Sequence, residues 1–340
     1  MTGSTRQHPV APSNILNQME QPLTLYQSIL ADKTLTPEEI RDEYGKLRSF
    51  PAYENKRNFY GNPLLYHYML DILCQTGNAK GLTIKGEAED PERRAFWFAQ
   101  MEKLQRTGTF SVRFFECLRM CQFAINFFKP TTAKFLYKKF NATRVLDPCA
   151  GWGGRLLGAM ALDGAVSYIG FDTNLLLRDP YNKMMRNLLT SKRFVIKTEY
   201  GVEDHWKGSN ANYNKDGSIN SYGGIQQHRM IWSSSLSYPF ERLNYDFVLT
   251  SPPYVNLELY PGMTPFESEK KFYEEFLIPL IDKCRKHCQS GGWVCFNISP
   301  KMYVALTEKF KYKSCDQTEE LLQQKRLGTD KGDKIYCWRC

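Results

Sequence analysis

From about residue 141 onward, short apolar and β-branched runs alternate with helical segments, and this alternation constrains the fold more than any other feature. The strand candidates are ATRVLDP, AVSYIGFD, RFVIKTEYG, YDFVLTSPP, GGWVCFNIS and DKIYCWRC. Helical segments such as RLLGAMALDG and KKFYEEFLIPLIDKCRKHC separate them. Because parallel strands need long crossover connections, the alternation predicts an α/β fold, a doubly wound sheet with helices on both faces.

The first part of the chain carries helix signals instead. Thr36-Pro37-Glu38-Glu39 offers an N-cap, a proline at the first helical position and a capping-box glutamate, which predicts a helix to about Arg48. Three further helices are predicted, and they begin at Asn62, Asp90 and Ser111, the last running to Phe128. The predicted organisation has three parts: a flexible N-terminus over residues 1–22, a helical region over 23–125 and the sheet domain over 126–340.

One stretch fits neither pattern. Lys207 to Ser237 is rich in Gly, Asn, Ser and Tyr and shows no periodicity, so it is predicted to be a long loop. Loops of this length are usually functional or disordered. Together with the helical region and the segment from Val255 to Glu267, it is a candidate for target recognition.

The strongest local signal is the sequence VLDPCAGWGGR, from Val145 to Arg155. It predicts a buried strand, a glycine-rich turn and a helix from about Arg155. Such a turn lets backbone N–H groups approach a ligand, and the helix N-terminus adds partial positive charge. Asp172 ends the next predicted strand, where an acid accepts hydrogen bonds from ribose hydroxyls. This pattern predicts a nucleotide-like cofactor site, and the alternative is a tight turn with a helix N-cap and no ligand.

The second signal is Thr250-Ser251-Pro252-Pro253-Tyr254, directly after the apolar strand candidate YDFVL. Two prolines cannot donate to a strand ladder, so the strand ends there. They leave carbonyls exposed at the carboxyl edge of the sheet, where ligands of open α/β sheets bind. With a hydroxyl before them and an aromatic ring after them, they predict a clamp for a planar polar group. Taken alone, the same letters are also compatible with a surface turn.

The combination of DPCAGWGG and SPPY resembles the S-adenosylmethionine-dependent amino-methyltransferases that modify DNA at adenine N6 or cytosine N4. That family carries a DPxxGxG-type cofactor loop followed by a [DNS]-P-P-[YFW] catalytic loop, and the WGGR form is similar to methylases of phages and large viruses. Phe128-Lys129-Pro130 is similar to the family's lysine–proline element, and Gly201-Val202-Glu203-Asp204 to its adenine-contacting acidic turn. The match covers roughly residues 125 to 340 and implies a Rossmann-like class I methyltransferase sheet.

The resemblance implies a role for each matching residue. Asp172 would bind the ribose hydroxyls, and Glu203 or Asp204 would face the adenine amino group. The implied S-adenosylmethionine site consists of Lys129, Pro130, Asp147, Pro148, Cys149, Ala150, Gly151, Trp152, Gly153, Asp172, Glu203 and Asp204. The implied catalytic residues are Ser251 and the Pro252 carbonyl, which accept hydrogen bonds from the target amine, then Pro253, and Tyr254, which stacks on the base. No metal is implied.

The activity implied is transfer of a methyl group from S-adenosylmethionine to cytosine N4 or adenine N6 of DNA by direct in-line attack. Two alternatives stay open: methylation of an RNA base or a protein glutamine, and a non-catalytic subunit that keeps the fold for binding. Trp152 departs from the family, in which a small residue is commoner. The excess of 45 Lys and Arg over 36 Asp and Glu, a formal +9, is compatible with a nucleic-acid partner, DNA above all.

Composition also bears on the compartment. The sequence has no apolar run long enough to span a membrane and no apolar segment typical of a secretory signal, which predicts an intracellular, cytoplasmic protein, with a nuclear or viral-factory location left open. In that setting the ten cysteines are predicted to be reduced thiols. The alternative is a zinc site built from closely spaced pairs such as Cys117/Cys121 and Cys284/Cys288.

Overall fold

The computed structural model describes most of the chain. The described residues are 23–53, 58–78, 80–102, 107–121, 126–162, 164, 166–213, 219–254, 258–259, 266–321 and 334–340. The predicted flexible N-terminus, residues 1–22, lies outside them, as does most of the segment from Val255 to Glu267. None of the helices in the described part combines the length and the apolar character that a membrane crossing requires.

Helices occupy the described residues before the sheet. They are α1 (Leu25–Ala31), α2 (Pro37–Ser49), α3 (Asn62–Gln75), α4 (Ile84–Glu89), α5 (Pro91–Met101), α6 (Phe110–Cys121) and α7 (Pro130–Lys139). The predicted capping box of α2 is confirmed, because the Thr36 hydroxyl accepts from the Glu39 N–H and the Glu39 carboxylate accepts from the Thr36 N–H. The helix predicted to reach Phe128 is wrong at its end. Residues 126–129 are not helical, because Lys129 precedes Pro130 and a residue before proline disfavours the helical conformation.

A nine-stranded sheet is the centre of the second part of the described fold. Its strands are β2 (Arg144–Asp147), β3 (Ser167–Asp172), β4 (Thr190–Thr198), β5 (Gly201–Ser209), β8 (Gln226–Trp232), β9 (Phe247–Thr250), β11 (Trp293–Ile298), β12 (Gln317–Glu320) and β13 (Lys334–Arg339). Two small sheets pair β1 (Gly77–Asn78) with β10 (Glu258–Leu259) and β6 (Ala211–Tyr213) with β7 (Ile219–Tyr222). The order is β12-β13-β11-β9-β2-β3-β8-β5-β4, with the five central strands parallel and antiparallel pairs at both edges.

Helices cover both faces of this sheet. They include α7, α8 (Gly154–Met160), α9 (Arg178–Leu188), α10 (Glu269–Lys271), α11 (Ile278–His287) and α12 (Pro300–Val304). Val145 and Phe247 face one core, which also contains the buried side chains of the N-terminal helices. Leu146 and Val248 face a second core that contains the buried side chains of α11. This alternation buries both faces, and the predicted Rossmann-like doubly wound sheet with an N-terminal helical region is confirmed.

The loop predicted over Lys207 to Ser237 is wrong. Most of its described residues lie in strands, and one of these strands, β8, pairs parallel with β3. The strand predicted at RFVIKTEYG corresponds to β4, which pairs antiparallel with β5 at the edge of the sheet. The strands were hidden because polar groups stand inside them. Asp204 in β5 and His228 in β8 are both buried, and ion pairs and hydrogen bonds replace the expected apolar alternation.

Candidate active site

The strand order reverses next to β2. Since β3 lies on one side of β2 and β9 on the other, a crevice opens between the carboxyl ends of β2 and β9, the usual ligand position in such sheets. The glycine-rich turn follows β2 and the SPPY segment follows β9. The two segments touch, because the Cys149 N–H donates to Thr250 Oγ1 at 3.1 Å and Thr250 Oγ1 donates to Asp147 Oδ1 at 2.8 Å.

An open cavity of about 850 Å³, counted with the solvent at its mouth, lies at this crevice. Its walls come from five places: the turn after β2, the end of β3 with the turn that follows it, the turn after β8, the segment after β9, and the segment that leads into α11. The lining residues are Pro148, Cys149, Gly151, Phe171, Asp172, Thr173, Asn174, Leu177, Ser233, Ser234, Ser235, Ser251, Pro253, Phe266 and Phe276. The cavity therefore brings Asp172 from the cofactor pattern and Ser251 from the catalytic pattern into one space.

Asp147 does not line this cavity. It is fully buried, and its carboxylate accepts hydrogen bonds from Arg155 Nε at 2.6 Å, from the Tyr168 hydroxyl at 2.6 Å and from Thr250. Burial, the largest single effect, would lower the pKa of Arg155, but the charge and hydrogen bond of Asp147 together with the nearby Tyr168 and Tyr137 outweigh it and raise that pKa. Asp147 thus joins β2, β3, β9 and α8 beneath the site, and its role is to position the turn.

The glycine-rich turn depends on its glycines for two different reasons. Gly151 has φ +54°, a left-handed conformation, and its carbonyl accepts from the Tyr181 hydroxyl at 2.8 Å. A methyl group at Gly154 would lie 2.0 Å from the Phe128 carbonyl oxygen, so only glycine allows α8 to begin there. Arg155 fixes the same turn by donating to the Cys149 and Ala150 carbonyls. The turn is therefore held rigidly at the cavity wall.

Asp172 lies at the end of β3 with its carboxylate on the cavity. One oxygen accepts from the Gly151 N–H and the other from the Asn174 N–H, both at 2.8 Å. Burial raises the pKa of Asp172 to about 6, although these backbone hydrogen bonds oppose the shift. Each oxygen keeps acceptor capacity for a ligand hydroxyl. The neighbouring Asn174 is buried, and its Nδ2 donor has no protein partner among the described residues.

In the SPPY segment, Ser251 and Pro253 line the cavity, whereas Pro252 is buried. Ser251 Oγ accepts a hydrogen bond from Asn297 Nδ2 at 3.2 Å. Asn297 belongs to β11, is 6% exposed, and its Oδ1 has no protein partner among the described residues. Tyr254 packs partly buried against the second core and does not line the cavity, so its predicted stacking on a base stays a prediction.

The structure contradicts the predicted acidic turn. Glu203 and Asp204 lie inside β5, away from the cavity lining. Asp204 accepts from Arg178, Arg193 and Trp232, and Glu203 accepts from Arg229 and sits 2.9 Å from His205. Burial alone would raise the pKa of both carboxyls, but the arginines, together with His205 beside Glu203 and Trp232 beside Asp204, outweigh it and lower both. These carboxylates are engaged in ion pairs within the sheet and do not line the cavity, so their predicted contact with an adenine stays a prediction.

Several other predicted cofactor residues also lie behind the cavity wall. Lys129 and Pro130 open α7, with the Lys129 ammonium 5.3 Å from the centre of the Phe59 ring. Trp152 is buried edge-on against Phe127. The remaining two are Ala150, whose N–H donates to Phe171 O, and Gly153, the N-cap of α8. All of these residues support the turn without facing the cavity.

No protein-family model and no curated protein matches the chain. Solved structures match in part. TrmN from Thermus thermophilus gives a TM-score of 0.32 at 14% identity, covering 61% of this chain and 48% of TrmN. An rRNA methylase from Streptococcus thermophilus gives 0.31 at 9% identity, covering 63% of this chain and 97% of the methylase. TehB from Haemophilus influenzae gives 0.30 at 12% identity, covering 66% of each chain. No residue role is taken from these likenesses.

The cavity also contains residues that the sequence did not single out individually. Ser233, Ser234 and Ser235 follow β8 and were hidden inside the supposed loop. Had β8 been recognised, its carboxyl end would have placed them at the ligand edge. Phe266 and Phe276, with ring centroids 5.6 Å apart, form an apolar wall of the cavity. Phe266 belongs to the segment from Val255 to Glu267, a predicted candidate for target recognition, whereas no local pattern marks Phe276 in the helical segment before α11.

The cysteines form no evident metal centre. All ten are free, and no group of three or more His, Cys, Asp and Glu in the described part of the chain could hold a metal ion. Cys149 is the one that lines the cavity. Burial raises the pKa of its thiol, so it stays protonated and is a poor nucleophile. The chemistry at this site is therefore expected from hydrogen-bonding oxygens and not from a thiolate.

Proposed function

We propose that this protein is an S-adenosylmethionine-dependent methyltransferase that modifies an exocyclic amine of a nucleic-acid base, with DNA as the substrate. One observation carries the proposal. Asp172, suited to ribose hydroxyls, and Ser251, suited to an amine, open into the same cavity at the crevice between β2 and β9. Neither motif alone would justify the proposal, because each can occur as a structural turn.

The cofactor half of the cavity has the hydrogen-bonding groups that a nucleoside needs. The Asp172 carboxylate keeps acceptor capacity on both oxygens, and the unpaired Nδ2 of Asn174 is available as a donor. Unpaired buried donors are costly, so a ligand that accepts from Asn174 gains more than an ordinary hydrogen bond. The bound cofactor would supply a sulfonium methyl group as the electrophile.

The catalytic half fits an aromatic amine. Such an amine is a poor nucleophile because its lone pair is delocalised into the ring. Ser251 Oγ already accepts from Asn297, and it keeps capacity to accept from the amine together with the Pro252 carbonyl. Acceptors fixed around the nitrogen favour its pyramidal geometry and stabilise the positive charge that grows on it. Phe266 and Phe276 give this half an apolar aromatic wall, which suits a planar base better than a flexible glutamine side chain.

In a duplex the target base is stacked and paired, so it must leave the helix to reach Ser251. The cost, on the order of a few kcal/mol, is offset in part by stacking on aromatic side chains. The formal charge of +9 is spread along the chain and favours approach to a polyanion.

The test is incubation of the purified protein with isotope-labelled cofactor and, separately, DNA, RNA and a protein extract, followed by mass spectrometry of the digests. We expect label on the exocyclic nitrogen of a DNA base. Ser251→Ala should reduce transfer at least about 100-fold, the size seen when one preorganised group is removed, and should leave cofactor binding intact. Ser49→Ala, at the exposed end of α2, is the matched control and should have no effect. Label on RNA or protein alone would overturn the substrate assignment, and no transfer to any of the three would overturn the activity.

A further inference from the structure

The edge strand β4 is unusual for its exposure. It lies at the end of the nine-stranded sheet and pairs on one side with β5, in unbroken register from Thr190 opposite Ser209 to Thr198 opposite Gly201. Within the described residues nothing pairs with its other side. A nine-residue strand therefore presents a row of backbone N–H and C=O groups to solvent, which is a template for another strand.

Both faces of β4 are also exposed. Phe194, Val195 and Ile196 are 51%, 44% and 41% exposed, whereas the apolar side chains of the central strands are almost fully buried. Because side chains alternate along a strand, Phe194 and Ile196 lie on one face and Val195 on the other. Three consecutive large apolar residues on an open edge indicate contact with another polypeptide.

The charges of β4 limit how a second copy of the strand can align with it. The strand carries Lys192, Arg193 and Lys197 and has no acidic residue and no proline. Arg193 is engaged with Asp204 of β5, while the two lysines flank the apolar centre. Like charges placed directly opposite each other on paired strands are destabilising. The cations therefore exclude most alignments of β4 with a strand of the same composition, and they restrict self-pairing to particular registers.

We propose that β4 pairs antiparallel with β4 of a second copy of this chain, about a two-fold axis at Phe194. A two-fold axis perpendicular to the sheet must pass through a residue position, because paired side chains share a face. An axis at Arg193 places Arg193 against itself, and an axis at Val195 places Arg193 against Lys197. The axis at Phe194 pairs all nine residues and opposes no two cations. Its facing pairs are Thr190–Thr198, Ser191–Lys197, Lys192–Ile196, Arg193–Val195 and Phe194–Phe194.

This pairing satisfies the open backbone groups and covers the exposed apolar residues on both faces. Two strands, β5 and β8, separate β4 from β3, so the carboxyl ends of β2, β3 and β9 stay open to ligands. The proposal is therefore independent of the proposed methyl transfer. The other occupant suggested by the same surface is a nucleic acid lying on the lysines and on Phe194, whose ring stacks on His205 at 4.9 Å. Three adjacent apolar residues on both faces favour the polypeptide.

Substitutions at position 196 distinguish the dimer from a nucleic-acid surface, because Ile196 faces Lys192 of the partner copy in the proposed register. Ile196→Lys would oppose two cations twice in each dimer, whereas Ile196→Glu would create two ion pairs. We expect the full-length protein to be a dimer in sedimentation equilibrium at micromolar concentration. The dissociation constant of Ile196→Glu should be at least tenfold lower than that of Ile196→Lys. Val304→Lys and Val304→Glu, at a 47% exposed position of α12, are matched controls and should leave the wild-type dissociation constant unchanged.

Circular dichroism melting of each variant ensures that only folded proteins are compared. A monomeric wild-type protein at all concentrations would overturn the proposal, as would equal dissociation constants for the two Ile196 variants. A monomer whose affinity for a DNA oligonucleotide rises in Ile196→Lys and falls in Ile196→Glu would overturn it in favour of the nucleic-acid surface.

Discussion

Removing the Arg155 guanidinium should destabilise both the fold and the glycine-rich turn. In Arg155→Leu, the fully buried Asp147 carboxylate loses its charged partner at 2.6 Å, and the Cys149 and Ala150 carbonyls lose their donor. Breaking a buried ion pair by removing one member costs about 3–5 kcal/mol, because the other charge stays buried without compensation. For a chain of 340 residues that corresponds to a fall in Tm of roughly 4–7 °C.

The assay is thermal and urea unfolding of four proteins: wild type, Arg155→Leu, Asp147→Asn and the double variant. In Asp147→Asn no buried anion remains, so removing Arg155 as well should cost less free energy of unfolding than removing Arg155 from the wild type. The double variant should therefore be more stable than the sum of the single losses predicts, with a coupling of roughly 1–3 kcal/mol. Arg242→Leu is the control, since Arg242 is 60% exposed and 3.7 Å from Glu199, a contact worth little in water.

The same variant carries a functional readout. Release of the Cys149 and Ala150 carbonyls should weaken binding of S-adenosylhomocysteine in calorimetry, in addition to lowering stability. Two results would refute the view that this ion pair positions the turn. One is a loss of less than about 1 kcal/mol in the free energy of unfolding of Arg155→Leu. The other is a loss in the double variant equal to the sum of the two single losses.

Further outcomes are expected for Asp172, for the glycine-rich turn and for Asn297. Binding of S-adenosylhomocysteine should weaken as pH falls through about 6, because Asp172 then gains a proton, and Asp172→Asn should bind weakly without this pH dependence. The pKa of Asp172 in the native state lies above its ordinary value of 3.8, so the native state holds this proton more tightly than the unfolded state. Protonated Asp172 therefore adds to the free energy of unfolding at acid pH. That contribution is lost as pH rises from about 4 to 6. Gly151→Ala should lower the free energy of unfolding by only about 1–2 kcal/mol through backbone strain, because its added methyl meets no atom closer than 4.0 Å. Gly154→Ala should lower it more in urea unfolding, because Phe128 must move. Asn297→Ala should lower the turnover rate up to about 100-fold with cofactor affinity unchanged, by releasing Ser251, and an unchanged rate would show that Ser251 needs no such support.

The sequence predicted the parts of the fold that are encoded locally. The capping box at Thr36 and Glu39, the strand before the glycine-rich turn and the position of Asp172 at the end of β3 each depend on a few neighbouring residues. The resemblance to amino-methyltransferases added the expectation that the turn after β2 and SPPY share a site, and they line one cavity.

The failures have a common physical cause, which is pairing over long sequence distances. The β5 and β8 strands carry charged and polar residues that would be unfavourable in a sheet unless they were matched across strands, as Asp204 is by Arg178 and Arg193. The pattern of β8 therefore looked like a loop, and the start of β5 looked like an acidic turn with Glu203 and Asp204 available for a ligand. Asn297 is unremarkable in sequence, and only the pairing of β11 with β9 brings it to Ser251.

The continuous core beneath the glycine-rich turn has a consequence for how the molecule opens. A methyl group at Gly153 would lie 3.4 Å from Met69 Cε, and one at Gly154 would lie 3.4 Å from Leu65 Cδ1, so α3 packs directly against the turn. The N-terminal helices and one sheet face share a single buried cluster. They are therefore expected to unfold as one cooperative unit, and a ligand in the cavity should slow amide hydrogen exchange in α3, on the far side of the turn.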